Sequence, residues 1–373
     1  MAIEKKFYFV ILAVFAFIAY TLLAAEPIPS ETILTNNWLK ELNIGSDEED
    51  VLENGLMIPF MLGNRYGYVS NTGKVLLNRE REQTVSLSPE FWSEYENFPM
   101  EIIIRDPLSN KEIILKNPGG YPLFIDGRIF LISKDQTSLK EFNKDGEILW
   151  QHDYEAPLTC IDAAGGYVLT GTLDGMIDLL DGGGSPLFPS FAPGASRIPV
   201  ILCCRLSSDG SKIAVISGID KQRFLFLELY GNNDYRVTYH EFLKGEGFRR
   251  EMLLAFIGND TRVVFEQEAG LGIYDVNDRS TLTLPLSSRN EGQFPLLPGS
   301  RLLALEEEGG NGLFFYIISG SNSEEKRFIA LKLPGKELLN VPFKSEFSFL
   351  TRRGNEIFIG GGMTLACFTL DKR

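Results

Sequence analysis

The feature that most constrains this chain is an internal repeat. A strand-forming apolar run, a Gly/Asp/Asn bend, a second strand of about six residues and a further strand recur along the body of the sequence. Seven copies are found: Met61 to Asn78, Tyr121 to Asn143, Ile161 to Asp181, Arg205 to Leu229, Phe256 to Asn277, Leu296 to Ile318 and Phe349 to Asp371. Their first bends fall near Asn64, Gly127, Gly166, Gly210, Asp260, Gly299 and Gly354, at spacings of 63, 39, 44, 50, 39 and 55 residues. Most of these match the ~40–50 residues of a four-stranded propeller blade. Asp-Gly and Gly-Gly supply the positive φ that two-residue hairpins need. The strands are largely apolar rather than strictly alternating, as expected when both faces of a sheet are covered.

The repeat therefore predicts an all-β fold, a β-propeller occupying residues 55–373. The first interval is too long for one blade, and residues 84–117 carry extra strand-like runs at Glu101 to Ile104 and Glu112 to Leu115. We read them as an insertion in a seven-bladed ring, with six or eight blades as alternatives. No long amphipathic helical pattern follows residue 55, and no alternation of strands with helices marks a parallel sheet.

The N-terminus reads differently. Phe7 to Ala25 is an uncharged apolar run, preceded by Lys5 and Lys6 and followed by Glu26 and Glu31. Its length is close to the ~20 residues that cross a bilayer. The flanking charges keep residues 1–6 on the cytoplasmic side and send the remainder across. The expectation is one transmembrane signal-anchor helix over 7–25. A cleavable signal peptide is the rival, disfavoured by Leu22 and Leu23 at the −3 positions. Residues 26–54, with Pro27, Pro29 and the acidic run Ser46 to Asp50, read as a spacer holding a short helix over Ile33 to Leu42.

The stretch Asn143 to Asp181, NKDGEILWQHDYEAPLTCIDAAGGYVLTGTLDGMIDLLD, has the elements D-G-x-x-x-W, G-G-Y-V and G-T-L-D-G-x-I. It resembles the repeat of quinoprotein-dehydrogenase-type propellers, a group that includes a propeller lipoprotein of outer-membrane assembly machinery. Leu206 to Leu229 looks more like a WD40-type blade without the WD dipeptide. The resemblance implies that Trp150 packs between sheets. Cofactor-using members need a calcium site and a catalytic Asp, which do not map onto this chain.

A formal charge of −14 and the lack of a basic stripe argue against a nucleic-acid partner. The pairs Arg249-Arg250 and Arg352-Arg353 read as solvated turns. Asp174, Asp178 and Asp181 lack calcium-loop spacing and read as turn and strand-end residues. Gly182-Gly183-Gly184 reads as a turn, because no Gly-Lys-Ser/Thr follows. His152 and His240 have no companion at metal-ligand spacing, and Glu306-Glu307-Glu308 and Glu48-Glu49-Asp50 read as solvated loops. Cys160, Cys203, Cys204 and Cys367 lie in apolar runs and read as small buried hydrophobes; a disulfide of Cys160 or Cys367 with one of the pair is the alternative. No catalytic, cofactor or metal residue is assigned, and no cofactor is expected.

The expected function is a membrane-anchored, extracytoplasmic interaction scaffold with protein partners in the cell envelope, in envelope assembly or maintenance. The alternative is an extracytoplasmic enzyme, a quinoprotein-like oxidoreductase or a carbohydrate-active propeller. A ligand-sensing ectodomain ranks third, because residues 1–6 are too short to carry an output domain.

Overall fold

A computed structural model describes residues 13–20, 32–43, 48–49, 57–97, 99–109, 111–188, 190–194, 196–230, 234–244, 252–268, 270–284, 301–307, 312–319 and 324–372. These residues form eight antiparallel sheets, seven of four strands and one of three. Numbered along the chain, blade 1 spans Met57 to Glu80 with Glu48–Glu49 added at its edge. Blade 2 spans Thr84 to Lys116, blade 3 Gly120 to Asp153, and blade 4 Leu158 to Leu180. Blade 5 spans Ile201 to Phe242, blade 6 Leu254 to Leu284, and blade 7 Arg301 to Lys344. Blade 8 joins Ser348 to Lys372 with the early strand Thr32–Glu41.

Both faces of a typical blade are buried, and strand alternation divides its side chains between two neighbours. Blade 5 shows this plainly. Cys204, Ile213, Val215, Leu225 and Leu227 pack toward blade 4. Cys203, Ala214, Ile216, Phe224 and Phe226 pack toward blade 6. Six further clusters join blades 1 and 2, 2 and 3, 3 and 4, 6 and 7, 7 and 8, and finally 8 and 1. The core is thus a ring of eight shared interfaces. The first strands of neighbouring blades approach one another, which places them nearest the axis.

The ring is closed by pairing Thr32–Glu41 with Thr364–Lys372, from Thr32 opposite Lys372 to Glu41 opposite Thr364. The short helix expected over Ile33 to Leu42 is therefore a strand. Left alone, Thr364–Lys372 would present an unpaired edge, and a ladder to that edge outweighs weak local helical preference. Trp38 fixes the strand from the side: its indole N–H donates to the Asn71 carbonyl at 2.8 Å, and its ring lies 6.1 Å from that of Phe358. The propeller thus recruits residues from the stretch that reads as a spacer.

The blade count is eight, not seven. Residues 84–117 form a complete four-stranded blade rather than an insertion. Its first hairpin has no glycine. Ser88, Pro89, Glu90 and Phe91 make the bend, and the Ser88 hydroxyl accepts from the backbone N–H of Glu90 at 3.2 Å and of Phe91 at 3.0 Å. The second strand, Trp92–Tyr95, reads as polar, yet Trp92, Ser93 and Tyr95 are buried.

Elsewhere the bends fall as the repeat predicts. Asp126-Gly127 has φ of 53° and 67°, and Asn259-Asp260 has 53° and 61°, the left-handed pair of a tight hairpin. Blade 7 is the exception. Gly299 lies outside the described residues, and the first strand, Arg301–Glu307, follows that position instead of preceding it. Glu306 and Glu307 lie on this strand opposite Phe315 and Phe314, not in a loop. Glu48 and Glu49 likewise form a strand segment opposite Asn78 and Leu77. Arg352 and Arg353 end the first strand of blade 8, and Arg249-Arg250 lie outside the described residues.

Of the run Phe7 to Ala25, residues 13–20 are helical and the rest lies outside the described residues. No helix among the described residues is long and apolar enough to cross a membrane.

Candidate functional site

The residues singled out in the sequence do not converge. His152 and His240 lie on fourth strands, in blades 3 and 5, and His152 packs edge-on against Tyr154 at 4.8 Å. Asp174 accepts from the Thr172 hydroxyl and Asp178 from the Ser190 hydroxyl. Asp181 accepts from the backbone N–H groups of Gly183 and Ser185 at 2.9 and 2.8 Å, which makes Gly182-Gly183-Gly184 a turn closed by the aspartate. Trp150 is buried in the cluster between blades 3 and 4, 6.2 Å from the ring of Phe130.

All four cysteines are free thiols. Cys203 and Cys204, adjacent in sequence, point to opposite faces of blade 5. Cys367 is buried between blades 8 and 1. Cys160, on the first strand of blade 4, reaches the Cys204 side of that interface, with 2.8 Å between the two sulfur atoms.

The concavity with mixed chemistry lies between blades 1 and 2, in the part of the ring that the repeat pattern left out. It is a groove of about 410 Å³ lined by Arg79 and Gln83 from one side and by Glu94, Glu96, Met100, Glu101 and Arg105 from the other. Its architecture is set by Trp92. The Arg79 guanidinium lies 5.3 Å and that of Arg105 5.0 Å from the indole centroid. A cation over an aromatic face is attracted by the ring quadrupole, so the one indole draws both guanidinium groups to the same wall. Arg105 is held further by Glu112, whose Oε1 accepts from its Nε at 2.9 Å.

At the same wall the Tyr66 hydroxyl donates to Glu94 Oε2 at 3.1 Å. Burial, followed by the Glu94 charge, raises the Tyr66 pKa well above the ordinary phenol value, so Tyr66 remains a donor at any physiological pH. Met100 stands 76% exposed in the bend between the second and third strands of blade 2. The groove therefore offers cations, carboxylates and an apolar contact in one open channel. Such a surface suits an extended chain with several kinds of side chain. Sequence reading missed it because the walls come from two blades, one of them unrecognised, and Arg79, Trp92 and Arg105 form no local motif.

A closed ring of antiparallel sheets, each sharing its two faces with its neighbours, defines the β-propeller class. A family model described as beta-propeller protein matches residues 1–372, and the chain belongs to that family. An uncharacterised protein of Treponema pallidum (strain Nichols) is 26% identical over 291 residues, covering 76% of each chain. Among solved structures, BamB from Moraxella catarrhalis is similar at a TM-score of 0.55 and 13% identity, over 90% of this chain and all of that one. The computationally designed Ika8 protein is similar at the same TM-score and identity, over 87% of this chain and all of that one. These two likenesses establish the fold.

Proposed function

We propose that this propeller is an interaction scaffold, held outside the cytoplasmic membrane by its apolar N-terminal run, and that the groove between blades 1 and 2 receives an extended segment of a partner protein of the cell envelope. The observation that carries this reading is the groove itself: open, walled by Arg79 and Arg105 gathered on the Trp92 indole, and edged by exposed Met100. Interface hot spots favour this combination of arginine, aromatic and methionine side chains. Lys5 and Lys6 ahead of Phe7 to Ala25 support the anchor and its orientation. The likeness of residues 143–181 to repeats of quinoprotein-type and outer-membrane-assembly propellers supports an envelope setting.

The test is a crosslinking pull-down from intact membranes through a tag after Arg373, comparing the native chain with a Met100→Asp, Glu101→Lys double variant. Both substitutions lie at the groove edge and leave the Trp92 stack in place. The expected result is one recurrent envelope protein, recovered at least about tenfold less with the variant, as for the loss of a contact of about 1.4 kcal/mol. Equal recovery from both chains would move the interface elsewhere on the ring. Recovery of the chain alone would overturn the scaffold reading and favour an extracytoplasmic enzyme.

A further inference from the structure

We propose that Cys160 and Cys204 are a thiol pair that closes reversibly to a disulfide and staples blade 4 to blade 5. The pair is built by the fold. Period-two alternation sends Cys204 toward blade 4 while its neighbour Cys203 faces blade 6. Cys160 stands on the first strand of blade 4, paired with Gly171, where an added Cβ would come within 2.7 Å of the Cys160 sulfur. Glycine at that position keeps room for the thiol.

Two hydrogen bonds hold the two strands together around the sulfur atoms. The Thr159 hydroxyl donates to the Ile201 carbonyl at 2.6 Å, and the Leu206 N–H donates to Asp162 Oδ2 at 2.7 Å. Within blade 5, Arg205 Nη1 donates to the Cys204 carbonyl at 2.9 Å. The first two cross from blade to blade on either side of the 2.8 Å sulfur contact. The two thiols therefore already meet across the interface between blades 4 and 5.

Blade 4 is also where a staple matters most. It has three strands, and the place of a fourth is taken by single bridges from Ile177 to Phe191 and from Leu180 to Pro186. Pro186, Pro189 and Pro193 crowd that segment, and proline cannot donate to a ladder. A bond between residues 160 and 204 encloses the second and third strands of blade 4 and this bridged segment in one covalent loop.

The chemistry is thiol–disulfide exchange with a small disulfide oxidant. Cys160, half-buried, is the entry point, because Cys204 is fully buried and burial raises its thiol. The Cys160 thiolate attacks one sulfur of the oxidant and expels the first thiol. Cys204 then gives up its proton, attacks the Cys160 sulfur and expels the second. Two protein thiols and one oxidant disulfide yield one protein disulfide and two small thiols, so the protein loses two electrons and two protons to the oxidant.

The experiment treats the purified full chain with oxidised glutathione, then denatures it, labels it with a maleimide and weighs it. Two labels are expected in place of the four carried by the reduced chain, with a Cys160–Cys204 cross-linked peptide and recovery of four labels after dithiothreitol. Cys203→Ser and Cys367→Ser should each still lose two thiols, whereas Cys160→Ser should lose none. Four labels after oxidation, a glutathione adduct that persists on Cys160, or a cross-link through Cys203 or Cys367 would each overturn the proposal. The wild-type measurement depends on no variant folding.

Discussion

At the scale of single residues, Gly184 and Asp209 show how closely the bends are tied to the ring. Gly184 has φ of +77°, and a Cβ there would lie 2.5 Å from the Trp150 indole. Gly184→Ala should lower stability by about 2–4 kcal/mol in urea titration, combining left-handed backbone cost with overpacking. Asp209 closes the first hairpin of blade 5. The Ser207 hydroxyl at 2.7 Å and the Ser211 backbone N–H at 2.9 Å hold its carboxyl at about 2, below the ordinary 3.8. A depressed carboxylate contributes stability that is complete above its unfolded value and is lost as pH falls through the folded one. The native chain should therefore weaken between about pH 4 and pH 2 through this group, and Asp209→Asn should flatten that part of an acid-unfolding curve. Carboxyl titration by NMR checks the value directly.

At the scale of elements, the early strand Thr32–Glu41 carries the closure of the ring. Removing residues 1–43 should leave Thr364–Lys372 as a free edge, and such edges pair with other chains. The truncated protein is expected to oligomerise on size-exclusion chromatography while the full chain does not change position. Trp38→Ala is the milder probe. It removes the indole from Phe358 and from the Asn71 carbonyl and should cost about 3 kcal/mol. Blade 2 makes the complementary point. Its bend is built by a serine side chain and a proline, so a pattern based on glycine passes over it, and its second strand reads as polar yet is buried because Ser93 satisfies its hydroxyl on the Ile103 carbonyl at 2.9 Å. Blade 7 reads one strand out of register for a related reason: a Pro-Gly signal at 298–299 resembles a hairpin in sequence but lies ahead of the first strand.

At the scale of the molecule, eight interfaces shared between neighbours make each blade's core incomplete without the next. Unfolding should therefore be cooperative around the ring. The three tryptophans report from different places, Trp38 between blades 8 and 1, Trp92 between 1 and 2, and Trp150 between 3 and 4. Their fluorescence transition in urea should coincide with that of far-ultraviolet circular dichroism; an earlier fluorescence change would mean that blades detach singly. What the sequence determined by itself was local and repetitive: strand type, the glycine and aspartate bends, the burial of both sheet faces and the propeller class, because these depend on residue spacing within one blade. The packing of Trp150 was legible only as what the resemblance of residues 143–181 to quinoprotein-type repeats implies. Tertiary structure alone decided the eighth blade, the strand made from Thr32–Glu41, the meeting of Cys160 with Cys204 and the Arg79–Trp92–Arg105 wall. Each of these joins residues whose relation is set by the edges and faces of neighbouring blades, and the free energy of completing an edge or an interface outweighs the weak local preference of the segment that completes it.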